Sequence, residues 1–281
     1  MRPIQWVKNG FVLAPIVFAE RLGDPDTLLS ASFAFLVFCA AASAIYLIND
    51  LNDREEDRKH PLKKHRPIAS GALPVRAATT VMIVLVIGAL AGAWTLGARF
   101  TGLVALYLGI NLLYSNGLKR VVILDLMAVA SGYVIRVEAG AAAIEVAMSN
   151  WLLLCTIFLA LFLIISKRRH ELMLLAEDAA GHRAVLDHYS PAFLDQMINV
   201  VTASTVVAYA LYAVDPQTVA RFGSEHLVYS VPLVLFGIFR YLYLIYQKPG
   251  RRNPTEAILT DVPSVVNVGL WILLVLWIIY S

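Results

Sequence analysis

Residues 49–71 read NDLNDREEDRKHPLKKHRPIASG, and the organisation of the chain follows from what flanks them. From Thr27 to Ile48 the sequence is almost purely apolar, and from Ala77 to Leu96 it is apolar again. A dense polar island between two membrane-length segments is costly to hold beside a bilayer, which makes it a candidate functional site. Asn49, Asp53 and Asp57 recur every fourth residue, and Asp50 precedes Asp53 by three. If the upstream helix continues through them, their oxygens stack on one face. Three carboxylates gathered there repel one another unless a cation sits among them. Hard oxygen donors suit Mg²⁺, which takes one or two carboxylates together with substrate phosphates. Arg58, Lys59, Lys63, Lys64, His65 and Arg66 follow at once. Acid followed closely by base is the pattern expected where a metal and cationic side chains grip a diphosphate.

The rest of the composition agrees with a membrane setting. Of 281 residues, 59% are hydrophobic and only 15% charged, against about a quarter charged in a soluble domain. The chain reads as a polytopic, all-α membrane protein forming a single domain over residues 1–281. Its two cysteines, Cys39 and Cys155, lie inside apolar segments and read as buried thiols rather than a disulfide or metal site. The net charge of +3 is small, and no nucleic-acid partner is expected. The apolar run from Phe11 to Ala19 is followed by Glu20, Arg21 and Asp24 instead of a small-residue cleavage site, so it does not read as a signal peptide.

With about 20 apolar residues as the unit, nine segments are expected: 5–20, 27–49, 77–96, 99–117, 121–141, 149–167, 191–214, 226–246 and 262–281. Lysine and arginine counts orient them. With the N-terminus inside, eighteen of the 23 basic residues face the cytoplasm, from Arg2 and Lys8 through Lys248, Arg251 and Arg252. Only Arg21, Arg99 and Arg221 lie outside, while Arg136 and Arg240 sit within segments. Every polar motif then falls on the cytoplasmic face.

Three further constellations stand out. YSNGLKR, residues 114–120, ends the fourth segment; Asp125 follows, and Arg136 lies about three turns deeper. A lone arginine in a membrane helix calls for a carboxylate across helices or an anion in a polar cavity, and Lys119 at the membrane surface reads either as a plain cytoplasmic anchor or as a ligand for a lipid phosphate. KRRHEL, residues 167–172, places three cations before Glu171, and Lys167 is the first of them. Basic residues at a helix end also complement its dipole and set orientation, so both readings stay open. The third is Lys8 with Asn9 in QWVKNG, readable as an interfacial anchor or a ligand pair.

The extended pattern NDxxDxxxD followed by RPIASG resembles the first aspartate-rich motif of the UbiA superfamily of intramembrane prenyltransferases. The resemblance implies nine helices around a central cavity open to the cytoplasm. Most members carry a second aspartate-rich motif after the sixth helix. Here KRRHEL stands in its place, and with QWVKN the chain resembles the decaprenyl-phosphate phosphoribosyltransferase branch. That branch moves 5-phosphoribose from phosphoribosyl diphosphate to a polyprenyl phosphate during cell-wall arabinan precursor synthesis. The alternative is an aromatic prenyltransferase that uses a prenyl diphosphate. The resemblance implies Mg²⁺ on Asn49, Asp53 and Asp57, with Asp50 assisting. Lys63, Lys64 and Arg66 would grip the donor's diphosphate, and Tyr46 would meet the ribose. Lys8, Lys167 and Arg168 would take its remaining phosphate, and Lys119 and Arg136 the lipid phosphate. A bacterial plasma membrane is the implied location, and a homo-oligomer is left open.

Overall fold

The computed structural model of the chain describes residues 3–59, 63–175, 184–247, 258 and 260–280. All regular secondary structure among the described residues is helical, with no strand. Two compact units divide the chain, Met1–Met148 and Ser149–Ser281.

The first unit opens with a 3₁₀ stretch, Pro3–Leu13, continued by a short helix α1, Ala14–Phe18. The long helix α2, Pro25–Asn52, follows. Asp24 caps it by accepting from the Asp26 backbone N–H at 3.2 Å, with Pro25 pre-set in the first turn. Its 28 residues run about 42 Å at 1.5 Å per residue, longer than the ~30 Å apolar core of a bilayer. The last turns therefore emerge from the apolar layer, and they carry Asn49 and Asp50. The backbone N–H of Asp53 still donates to Asn49 O at 2.9 Å, and that of Asp57 to Asp53 O at 2.8 Å. The short helix α3, Arg54–Lys59, thus continues nearly in step. Then come α4, Val75–Thr95; α5, Ala98–Asn116; and α6, Leu124–Ala143.

Small residues let these helices approach. Ala34, Ala41, Ala89, Ala93 and Ala139 are buried in one cluster around Phe38, whose ring meets Phe100 edge-on at 6.0 Å and Tyr107 at 5.5 Å. Close packing of this kind, rather than expulsion from water, holds helices together in lipid. At Gly140 an added Cβ would lie 2.0 Å from the Val12 carbonyl oxygen, so only glycine lets the N-terminal stretch cross α6 there.

The second unit holds α7, Asn150–Leu175; α8, Pro191–Val214; α9, Pro216–Phe222; α10, Val231–Gln247; and α11, Val262–Tyr280. Asp261 leads into α11, accepts from the Ser264 backbone N–H at 3.0 Å and meets both Nε and Nη2 of Arg240.

Seven of the described helices are long and apolar enough to cross a membrane. The two expected segments outside that set have recognisable causes. Segment 5–20 is mostly a tight 3₁₀ run ending in a five-residue helix. Segment 99–117 does form the 19-residue α5, but Arg99, Asn111 and Tyr114 dilute its apolar character. Arg2, Arg183, Lys248, Arg251 and Arg252, which entered the charge count, lie outside the described residues.

Candidate active site

The motif's carboxylates are met by cations from two directions. Arg66 donates from Nη1 to Asp57 Oδ2 at 2.6 Å and to Asp50 Oδ1 at 3.1 Å. Lys119 donates from Nζ to Asp53 Oδ1 at 3.0 Å. Asp57 is buried, whereas Asp53 and Lys119 are each about a third exposed at 33% and 30%. The side chain of Ser115, also buried, contacts Asn49 Oδ1 and donates to the Asn111 carbonyl at 2.8 Å. One face of α2 is thereby paired in register with YSNGLK. Asn49 and Asp53, four apart, meet Ser115 and Lys119, also four apart.

RPIASG folds back because each residue has a task. The Ser70 N–H bonds Arg66 O at 2.8 Å, and Arg58 Nε bonds Ala69 O at 3.0 Å. Ile68 is buried against Leu47 and Ala78, and Gly71 turns the chain at φ +83°. The burial of Ile68 anchors the loop, which places Arg66 over the carboxylates. Ile123 holds φ +69°, a strained value for a β-branched residue, between Lys119 and α6.

Tyr46 and Lys63 are half-buried, and Lys64 is exposed. Lys8 is half-buried on the 3₁₀ stretch, next to the fully buried Asn9. Asn9 belongs to a second cluster with Arg136. Arg136 donates from Nε to Asn9 Oδ1 at 2.8 Å, from Nη1 to Gly132 O at 2.7 Å and from Nη2 to Tyr107 OH at 2.9 Å. Its guanidinium also lies 4.7 Å from the centre of the Tyr107 ring. These partners are neutral: no carboxylate bonds this arginine among the described residues, and Glu138 instead meets Arg99 at 3.1 Å. Tyr107 precedes Ser115 by eight residues, about 12 Å along α5. Arg136 therefore occupies a layer well removed from the Asn49–Ser115 contact.

In the second unit, Arg168 is buried and donates to Glu171 Oε2 at 2.9 Å, while Lys167 lies 3.9 Å from Glu171 Oε1. Arg169 is held differently: it bonds the Asp195 carboxylate and stacks 4.0 Å over the Tyr246 ring, whose hydroxyl donates to the same carboxylate at 2.6 Å. The Asp195–Arg169–Tyr246 cluster and Ser115 escaped the sequence reading. The former pairs residues 26 and 51 positions apart and leaves no local pattern. Ser115 left a signal, because its spacing to Lys119 repeats that of Asn49 to Asp53.

Among the described residues no three His, Cys, Asp or Glu side chains converge to hold an ion by themselves. The donor set is an amide and separate carboxylates on successive turns, flanked by Arg66 and Lys119. It fits a hard divalent ion that shares its ligands with water and substrate phosphates, not an all-protein cage.

Comparison with known proteins follows the same lines. The sequence profile of the UbiA prenyltransferase family matches residues 10–259. A decaprenyl-phosphate phosphoribosyltransferase of Mycobacterium tuberculosis is 38% identical over 245 residues, covering 86% of this chain and 80% of that protein. One from Corynebacterium glutamicum is 35% identical over 286 residues, covering 100% and 85%. A UbiA homolog from Archaeoglobus fulgidus bound to DMAPP and Mg²⁺ superposes with TM-score 0.75 at 19% identity, covering 100% of this chain and 97% of that one. The helical fold, the aspartate-rich face of α2 and these matches establish that the chain belongs to the UbiA prenyltransferase family.

Proposed function

We propose that this chain transfers 5-phosphoribose from phosphoribosyl diphosphate to a polyprenyl phosphate, decaprenyl phosphate in the named relatives, and releases diphosphate. The observation that carries the reading is the pairing of the Asn49–Asp57 ladder with Arg66 and Lys119. The activity named for the mycobacterial and corynebacterial relatives supports it. A donor with phosphate at both ends and a phosphorylated acceptor bring three anionic groups to one reaction. A single metal-binding face with several separate cationic side chains suits that charge pattern. A prenyl diphosphate with an aromatic acid, which together bring fewer phosphates, needs fewer cations.

Asn49 and Asp53, with Asp57 and Asp50 beside them, would hold Mg²⁺. When bound, the ion neutralises charge on the diphosphate as it leaves. Arg66, Lys63 and Lys64 would share that task from the protein side. The acceptor's phosphate oxygen attacks C1 of the ribose; the C1–O bond breaks, and its electron pair departs with the diphosphate. In-line attack inverts C1, so an α donor yields a β product. The acceptor phosphate is already ionised near neutral pH, so the chain has to orient it rather than deprotonate it. Lys119, whose ammonium lies against Asp53, is the first candidate for this. Arg136, bonded to three neutral groups in a layer about 12 Å further along, is the weaker candidate for the same phosphate. Lys8, Lys167 and Arg168 are candidates for the donor's 5-phosphate, and Tyr46 for its ribose. A bacterial plasma membrane, with the N-terminus and the site on the cytoplasmic side, completes the reading.

The test is transfer by purified protein in detergent. Radiolabel should pass from phosphoribosyl diphosphate into the organic phase only with both polyprenyl phosphate and Mg²⁺, and not with EDTA. Prenylation of 4-hydroxybenzoate from a prenyl diphosphate, with no phosphoribosyl transfer, would move the chain to the aromatic prenyltransferases.

A further inference from the structure

The contact between Ser115 and Asn49 poses a problem of proton supply. Ser115 Oγ carries one hydrogen, yet two acceptor oxygens lie within reach, the Asn111 carbonyl and Asn49 Oδ1. Shared between both, that proton would make two weak three-centre contacts in place of one good bond. Helical hydroxyls in this chain regularly donate to the carbonyl four residues back. Thr156 does so to Leu152 at 2.9 Å, Ser204 to Val200 at 2.9 Å and Thr205 to Val201 at 2.7 Å. With its proton given to Asn111, Ser115 presents only lone pairs to Asn49. The two branches of an asparagine amide have nearly the same shape, so hydrogen-bond chemistry decides which faces where. Only the NH₂ branch can bond those lone pairs.

We infer that Ser115 is the positioning residue that sets the amide of Asn49, drawing its NH₂ toward α5 and leaving its carbonyl oxygen as the branch available to a metal ion. The inference rests on the metal-dependent reading given above. It also explains why an amide stands at position 49 in a row of carboxylates. An aspartate there could only accept, and would contest the proton that Ser115 gives to Asn111. The neighbouring contact of Lys119 with Asp53 keeps the two helices in register, so Ser115 meets the same amide in each molecule.

The experiment is direct binding of Mn²⁺ in the presence of inorganic pyrophosphate, followed by electron paramagnetic resonance on purified protein in detergent. Ser115→Ala should weaken Mn²⁺ binding roughly tenfold to a hundredfold, the range for removing a group that orients a metal ligand. Ser115→Thr keeps the hydroxyl and should stay within about threefold of the parent. Asn49→Asp should weaken binding despite its added charge. Ser115→Cys preserves bulk with a far weaker hydrogen-bonding group, and reports the same loss if the alanine variant does not fold. Parent-like Mn²⁺ affinity in Ser115→Ala or Ser115→Cys, or tighter binding in Asn49→Asp, overturns the role of Ser115 and leaves the metal reading standing. No pyrophosphate-dependent Mn²⁺ binding by the parent chain overturns both.

Discussion

Replacing Arg66 with glutamine removes one positive charge from two carboxylates at once. The side chain of Asp57 is 4% exposed and that of Asp50 14%, so neither is well hydrated. With an effective dielectric constant near 20, attraction at the observed 2.6 and 3.1 Å is worth about 6 and about 5 kcal/mol. Desolvation consumes much of that, and removing one partner of a buried pair costs about 3–5 kcal/mol in practice. We expect Arg66→Gln to lose about 3 kcal/mol, because glutamine keeps an NH₂ donor. The melting midpoint should fall by roughly 6–12 °C. Asp57→Asn should cost less, since Arg66 keeps Asp50. The double variant leaves no charge stranded at position 57, so its loss should fall short of the sum of the single losses by at least ~1 kcal/mol. Intrinsic tryptophan fluorescence during heating in detergent measures all four proteins. Additive losses would refute the argument, because they would mean that Arg66 and Asp57 act independently.

Asp53→Asn should lose about a hundredfold or more of phosphoribosyl transfer at saturating Mg²⁺; near-normal turnover would remove Asp53 from the metal-binding face. Lys119→Ala should raise the apparent KM for the lipid acceptor more than that for the sugar donor, and equal changes would undo its assignment to the acceptor phosphate. Asp261 tests pH dependence away from the site. Hydrogen bonds from Arg240, with help from Ser264 against the cost of burial, hold its carboxyl well below the ordinary 3.8. A lowered value in the folded state means that stability is present above the ordinary value and lost as pH falls below it. The midpoint of the parent chain should therefore drop more than that of Asp261→Asn between roughly pH 5 and pH 3; parallel curves would show that the Arg240 pair contributes nothing.

The sequence by itself determined the membrane-spanning helical class, because 20-residue apolar runs have few other places to go. It also determined that Asn49, Asp53 and Asp57 share a face, since a four-residue spacing is a local property of a helix that continues. RPIASG was legible as part of the motif, although not as a loop pinned by Ile68 and Arg58. What only the tertiary structure decided is which groups meet. Lys119 and Ser115 reach Asp53 and Asn49 across 66 residues, a match set by how α2 packs on α5, where Phe38 meets Phe100 and Tyr107. Arg136, which the sequence left between a carboxylate and an anion, is surrounded instead by Asn9, Tyr107 and the Gly132 carbonyl. KRRHEL divides into Arg168 with Glu171 and Arg169 with Asp195, a split invisible in three adjacent cations. Periodicity records which way a side chain leaves its own helix; partners follow from contacts between helices, and those depend on packing that no local pattern encodes.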